Sequence, residues 1–298
     1  MSPLSGLRSI SVCTNQGSRP SQEDRYIVSE NFIDNVSVFC VMDGTVGEFV
    51  VERVKASLLT CLSESPSWRV FVENDLTTFN SDCINEKNIS LIENALKETF
   101  SNCDKEILAE CKKSAINYSA CTTVLCIIVN DILVTAHVGD SRAALAHKES
   151  GYTWGEFITT DHKPDLPNER ARIEAAGGLV VYLASRAYAT AFLRGADFTA
   201  RKDAGDQPMQ LQYSRGFGGK DLKPYGLSCE PDVRITKISE SDFGLIIATD
   251  GLWDSLTASQ AANIIAPYSK RTDVASVLVE GVLNESADNV TAIVVLFR

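Results

Sequence analysis

The chain has 298 residues, 44% of them apolar, enough to bury one large core, and nothing in its composition marks disorder or a fibre. A net charge of −11 argues against nucleic acid as a partner, whose backbone it would repel, and against anionic membrane surfaces. Nine cysteines, without CxxC spacing and with Cys40, Cys121 and Cys126 inside apolar runs, read as buried thiols of a reducing compartment rather than a disulfide framework.

Residues 7–13 alternate apolar and polar, as an edge strand does. A turn through Gly17 and Arg19 leads to a second strand, with Glu23 and Asp24 at its start. Residues 36–43 form an apolar strand stopped by Asp43-Gly44. The period then changes: Phe49, Val50, Val54, Leu58, Leu59 and Leu62 predict an amphipathic helix over a sheet. Residues 63–87 show no repeating signal, and a second helix is predicted from about 89 to 113. Strands over 121–129 and 132–138 form a hairpin through Asn130-Asp131, and Gly139-Asp140-Ser141-Arg142 opens another over 143–146. Pro167 and Gly177 bracket a short helix. Residues 179–228 lose periodicity and read as a surface lobe inserted between core elements. A strand over 232–238, a strand over 245–248 buried on both faces, helices over 259–268 and 273–284, and a strand over 290–297 complete the chain. Hairpins and strands that do not alternate with helices predict an α+β fold. Its expected form is two stacked antiparallel sheets flanked by helices on both sides, in one domain over 1–298.

Asp43, Asp140, Asp250 and Asp288 all stand at ends of apolar strands, beside the pair Glu23-Asp24. Singly, each is a turn residue. Together they predict a common rim, since the exit of one antiparallel strand lies beside the entrance of its neighbour, and carboxylates gathered there repel unless cations join them. Oxygen donors select Mg²⁺ or Mn²⁺, and two such ions about 3.5–4 Å apart hydrolyse phosphate esters by polarising the phosphoryl group and making hydroxide from water. Arg19 is the candidate guanidinium for the phosphate, against the plainer reading of a surface arginine. Cys13 and Arg19 have the spacing of a cysteine phosphatase, but nine cysteines make that match weak and no histidine precedes Cys13. His137 and His147 read as structural, His162 as a loop or cap residue and Trp253 as packing. Gly216-Phe-Gly-Gly219 lacks the flanks of a phosphate loop.

The motifs Gly17-Ser-Arg19-Pro-Ser-Gln-Glu23-Asp24-Arg25, Val41-Met-Asp43-Gly44, Val138-Gly-Asp140-Ser-Arg142, Asp161-His-Lys-Pro164 with Glu174-Ala-Ala-Gly-Gly178, Ser214-Arg215, Glu230-Pro231, Ala248-Thr-Asp250-Gly-Leu-Trp-Asp254 and Asp288-Asn289-Val-Thr291 resemble, in order, those of the metal-dependent protein phosphatases of type 2C. The resemblance implies a helix-flanked β-sandwich that hydrolyses phosphoserine and phosphothreonine of phosphorylated proteins with two Mn²⁺ or Mg²⁺ ions. By motif, Asp43 resembles the bridging ligand and Gly44 a ligand through its carbonyl; Asp250 and Asp288 look like ligands of one metal. Glu23 and Asp24 are similar to residues holding metal-bound waters, Asp140 and Asp254 to those of a third metal, and Arg19 to the phosphate-binding arginine. The lobe over 179–228 is similar in position to the family's flap.

Two departures stand out. The usual Asp-Gly-His-Gly-Gly reads Asp43-Gly44-Thr45-Val46-Gly47, so the histidine that protonates the leaving oxygen is missing, and threonine is no general acid near neutral pH. Ser-Arg-x-x-Gly-Asp reads Ser214-Arg-Gly-Phe-Gly218-Gly219. A phosphatase slowed on phosphoserine is expected. The alternative is a pseudophosphatase that binds a phosphoprotein or regulatory partner, against which the surviving carboxylates argue. No leader, myristoylation signal or membrane-length apolar run is present, so a soluble intracellular monomer of cytoplasm or nucleus is expected.

Overall fold

The computed structural model describes residues 7–183, 190–268 and 271–297. Strands β1 (Leu7–Asn15), β2 (Arg25–Ile33) and β3 (Val36–Thr45) precede helices α1 (Phe49–Glu64), α2 (Pro66–Asn74) and α3 (Glu86–Lys113). Next come β4 (Ala120–Val129), β5 (Ile132–Val138), β6 (Arg142–Glu149), β7 (Tyr152–Phe157) and α4 (Pro167–Ala175). The lobe holds β8 (Leu179–Tyr182), β9 (Thr190–Leu193), α5 (Phe198–Asp203), β10 (Gln210–Leu211) and β11 (Phe217–Gly218). The chain ends with β12 (Asp232–Lys237), β13 (Asp242–Ala248), α6 (Asp250–Trp253), α7 (Ala258–Ile265), α8 (Val274–Val282) and β14 (Val290–Phe297).

One sheet runs β1-β14-β13-β6-β7 and the other β12-β5-β4-β3-β2, with β11 joined to β4. All their pairings are antiparallel. The side-chain alternation of β3 shows why its run is apolar throughout. Val36, Val38, Cys40 and Met42 pack in the core under α1 and α3, while Phe39 and Val41 join the core between the sheets. Ile293 and Val295 of β14 meet them there, and Ala292, Val294 and Leu296 pack with α7 and α8. A strand covered on both faces keeps no polar side, so the two-layer pattern is written into each run.

Three expectations change. Residues 63–87, read as patternless, contain α2; Ser65 accepts from the Trp68 N–H and Pro66 opens the helix, but nine residues are too few for a clear period. β7 was not foreseen either: it is a half-exposed edge strand. The lobe is more ordered than its composition implied, with its own sheet β10-β9-β8 and a core of Phe192, Met209, Leu211, Tyr213 and Leu222 packed on Ile173 of α4. Strands of two to four residues are too short to display alternation. Residues 184–189 of the expected lobe lie outside the described residues. All nine cysteines are free thiols. Among the described residues no helix is long and apolar enough to cross a membrane.

Candidate active site

The expected rim exists, with one correction to its geometry. Ala248 of β13 pairs with Ala292 of β14, so Asp250 and Asp288, just beyond those strands, are neighbours within one sheet. Asp43 pairs with Thr122 in the other sheet. The acidic rim therefore spans the two layers of the sandwich rather than the edge of one. Asp43, Asp250 and Asp288 line a single cleft of about 430 Å³ with Arg19, Glu23, Gly44 and Asp140.

Two glycines permit this close approach. A Cβ on Gly17, held at φ +59°, would lie 2.1 Å from the Asp288 carbonyl oxygen; one on Gly251 would lie 2.0 Å from that of Asn289. Asn289 ties the segments together. Its amide donates to the Gln16 and Ser21 carbonyls at 2.8 and 2.9 Å, and its Oδ1 accepts from the Glu23 N–H at 2.8 Å. The sequence offered Asn289 only as a member of its last motif, with no role attached. Gly251→Ala is expected to cost about 1–3 kcal/mol of stability by overpacking and to weaken cation binding by displacing Asp250. Chemical denaturation and calorimetric Mn²⁺ titration check both, and a variant with unchanged Mn²⁺ affinity contradicts the clamp.

The remaining acidic residues are not equivalent. Glu23 lines the cleft but spends its carboxylate on its own loop, accepting from Ser21 Oγ at 2.9 Å and from the Gly47 N–H at 2.8 Å. Asp24 is not among the lining residues; it is buried, with Oδ2 accepting from Thr249 Oγ1 at 2.9 Å and Oδ1 without a partner. Asp140 lines the cleft and pairs with Lys163. Asp254 is exposed and is not among the lining residues. Arg19 is exposed, and its Nη2 lies 2.6 Å from Asp288 Oδ2.

Burial, and then the charges of Asp250, Asp24, Asp140 and Asp288, hold Asp43 well above the usual carboxylate range. Asp250 is raised likewise, by burial and then by Asp140, Asp254 and Asp288. Burial pushes Asp24 up to about 7. Buried carboxylates that repel one another fit a hard divalent cation, which would offset the repulsion that adds to burial in raising these values.

The sign of the pH effect follows. A carboxyl with a folded pKa above its unfolded value holds more protons folded than unfolded, so its penalty is absent below the unfolded pKa and complete above the folded one. In chelator, Tm is therefore expected to fall by several degrees as pH rises from about 4 to about 8, and Mn²⁺ should restore it at the upper end. Scanning calorimetry tests this, and a Tm indifferent to both pH and Mn²⁺ refutes it.

The sequence model of the protein phosphatase 2C family matches residues 8–290. The chain belongs to the protein phosphatase 2C family. It is 31% identical over 295 residues to "Probable protein phosphatase 2C 59" of Oryza sativa subsp. japonica, covering 98% of this chain and 76% of that one. It is also 31% identical to "Probable protein phosphatase 2C 41" of Arabidopsis thaliana, over 94% of this chain and 77% of the relative. Among solved structures, a serine-threonine phosphatase 2C from Toxoplasma gondii superposes with a TM-score of 0.91 at 38% identity, covering 100% of this chain and 98% of that one.

Protein phosphatases 2C depend on metal, and this one carries a second group of potential ligands: His137, His162 and Asp232, whose donor atoms lie within 4.8 Å of one another. Its hydrogen bonding points to a different role. His162 Nδ1 accepts from the Gly139 N–H at 3.1 Å, which puts the ring proton on Nε2, 3.2 Å from Asp232 and out of line for a good hydrogen bond. A protonated nitrogen has no lone pair for an ion. His162 instead braces Gly139, while its neighbours hold the same turn: Lys163 pairs with Asp140, and Asp161 binds Arg142 at 2.6 and 2.7 Å. The loop or cap role expected of His162 is thus the positioning of the turn that bears Asp140.

One further residue of the phosphatase 2C cleft went unnoticed in the sequence. Tyr213 lines it and is 5% exposed, with its phenol donating to Thr45 Oγ1 at 2.9 Å. Burial pushes this phenol well above its usual pKa, so it stays protonated and remains a donor. Nothing local could have flagged it, because Tyr213 follows the two-residue strand β10 and meets Thr45 only across 168 positions of chain.

Proposed function

We propose that this chain is a metal-dependent protein serine/threonine phosphatase working through two Mn²⁺ or Mg²⁺ ions. The observation that carries the reading is the convergence of Asp43, Asp250 and Asp288, from both sheets, on one cleft with an arginine at its mouth. Asp43, the Gly44 carbonyl, Asp250 and Asp288 are the proposed ligands, Glu23 and Asp24 the residues that orient water around them, and Asp140 and Asp254 the holders of a further, weaker ion. When bound, such ions neutralise the phosphoryl group and activate the attacking water.

The rest falls to the chain. Arg19, paired with Asp288, exchanges that partner for the phosphate oxygens, a bidentate match that fixes the ester for in-line attack. Asn289 and the two glycines keep Asp250 and Asp288 in register, so little reorganisation accompanies the reaction. Gln210 and Leu211 of the lobe border the cleft, which supports the lobe over 179–228 as a flap that meets the substrate polypeptide.

The test is release of phosphate from a phosphothreonine peptide, with and without Mn²⁺. Turnover that requires the metal is expected. Tight Mn²⁺ binding without turnover on this peptide or on p-nitrophenyl phosphate would refute the enzymatic reading in favour of a phosphoprotein-binding module.

A further inference from the structure

Val46 follows β3 where that strand meets the cleft, and it combines two features that one side chain seldom bears together. Its backbone lies in the left-handed region, at φ +59°. A β-branched residue is an outlier there, because Cβ already crowds the following carbonyl and two γ-carbons add to it. Asn35, Ala115, Asn130 and Ser150 also have positive φ among the described residues, and none of them is branched at Cβ. Val46 is besides 58% exposed, so its isopropyl group offsets little of the strain by packing.

The conformation is imposed from both sides. Thr45 ends β3, paired with Ala120 of β4, and its Oγ1 accepts from Tyr213. Gly47 donates its N–H to Glu23 at 2.8 Å, and its carbonyl accepts from Ser119 Oγ at 3.0 Å. The same Ser119 oxygen accepts from the N–H of Val50 in α1, at 3.2 Å. With both neighbours fastened, the turn holds Val46 in a shape that its side chain disfavours. Asparagine or glycine would fit this turn with less strain and expose no apolar group. A valine here gains nothing within the folded chain.

The cleft indicates what it meets. Val46 is three residues from Asp43, so their Cα atoms are at most about 11 Å apart, and an extended peptide advances roughly 3.3–3.6 Å per residue. A polypeptide whose phosphoresidue lies over the carboxylates thus brings a residue within two positions of it to Val46. Pro20 is also exposed and apolar in the same cleft. Arg19 is the one cation among the described lining residues, and it faces Asp288, so an acidic neighbour of the phosphoresidue finds no partner of its own. The exposed Gln210 and Gln212 offer amides that suit any main chain and select no side chain.

Resting on the phosphatase reading, we infer that Val46 is a specificity-determining residue. It packs against an apolar side chain within two positions of the phosphorylated serine or threonine and selects polypeptides that carry one there. Both groups leave water only when substrate binds, so the contact contributes to binding and takes no part in the chemistry.

The experiment scans leucine through the two positions on each side of phosphothreonine in an otherwise glycine and serine peptide, in Mn²⁺, for wild type, Val46→Asn and Val46→Ile. The readout is kcat/KM relative to the parent peptide, with the Tm of each protein beside it. At one or more of these positions leucine is expected to raise wild-type kcat/KM about fivefold, chiefly through a lower KM. Val46→Ile should keep that ratio. Val46→Asn should bring it close to one and melt no lower than wild type, since asparagine tolerates left-handed backbone. A wild type indifferent to leucine at every position, a ratio that survives Val46→Asn, or one lost equally in Val46→Ile overturns the inference. So does a ratio lost together with several degrees of Tm, which marks a distorted turn rather than a missing contact. A wild type that turns over no peptide overturns the phosphatase reading and this inference with it; the other failures leave that reading standing.

Discussion

Asp43→Asn is expected to lower Mn²⁺ affinity and turnover by at least about 100-fold, since even residues that merely support a metal ligand cost 10–100-fold when changed. The same substitution should raise the stability of the chelator-treated protein. Asp43 is buried among Asp250, Asp24, Asp140 and Asp288, whose charges oppose its ionisation, and asparagine keeps the shape while removing the repulsion. A Tm increase of about 2–4 °C corresponds to each kcal/mol recovered in a chain of this size class. Function lost while stability is gained is the signature of a site strained for its ligand; a residue that merely packs would lose both. Calorimetric titration and thermal melts in chelator measure the two halves. An Asp43→Asn protein that binds Mn²⁺ normally would remove Asp43 from the centre.

Thr45→His should act in the opposite direction on activity, raising turnover of phosphothreonine peptide by about 10-fold to 100-fold and changing p-nitrophenyl phosphate by less than about twofold. An imidazole titrates near neutral pH and is a better general acid than a threonine hydroxyl, and only a leaving group that needs a proton registers the difference. The gain has a structural cost. Tyr213, buried and relieved of its acceptor, is left with an unsatisfied hydroxyl, so a stability loss of about 1–3 kcal/mol is expected. Steady-state kinetics on both substrates and a denaturant melt test the pair of effects. Equal gains on the two substrates, or none, would show that proton delivery does not limit this cleft.

The sequence departures thus have different weights. Thr45 accepts from Tyr213, whereas Gly219 sits against Leu227 and Ala120 and its N–H donates to the Ser119 carbonyl at 2.7 Å.

The layered fold could be read from the sequence because each strand carries its own record of what covers it. The apolar runs at 36–42, 121–129 and 290–297 have no polar face, and the helical period after Phe49 states what lies on one side of them. The acidic positions were legible for the same reason, as carboxylates at the ends of strands that bury everything else. What the sequence could not specify was contact between segments with no local bond between them. That Asp43 reaches Asp250 across two sheets, that Asn289 ties Gln16 and Ser21 to the final strand, and that the Tyr213 phenol donates to Thr45 all depend on how the sheets stack and how the lobe folds back. Period and turn chemistry act over a few residues, whereas these meetings are set by packing between residues far apart in the chain, and only the folded chain decides them.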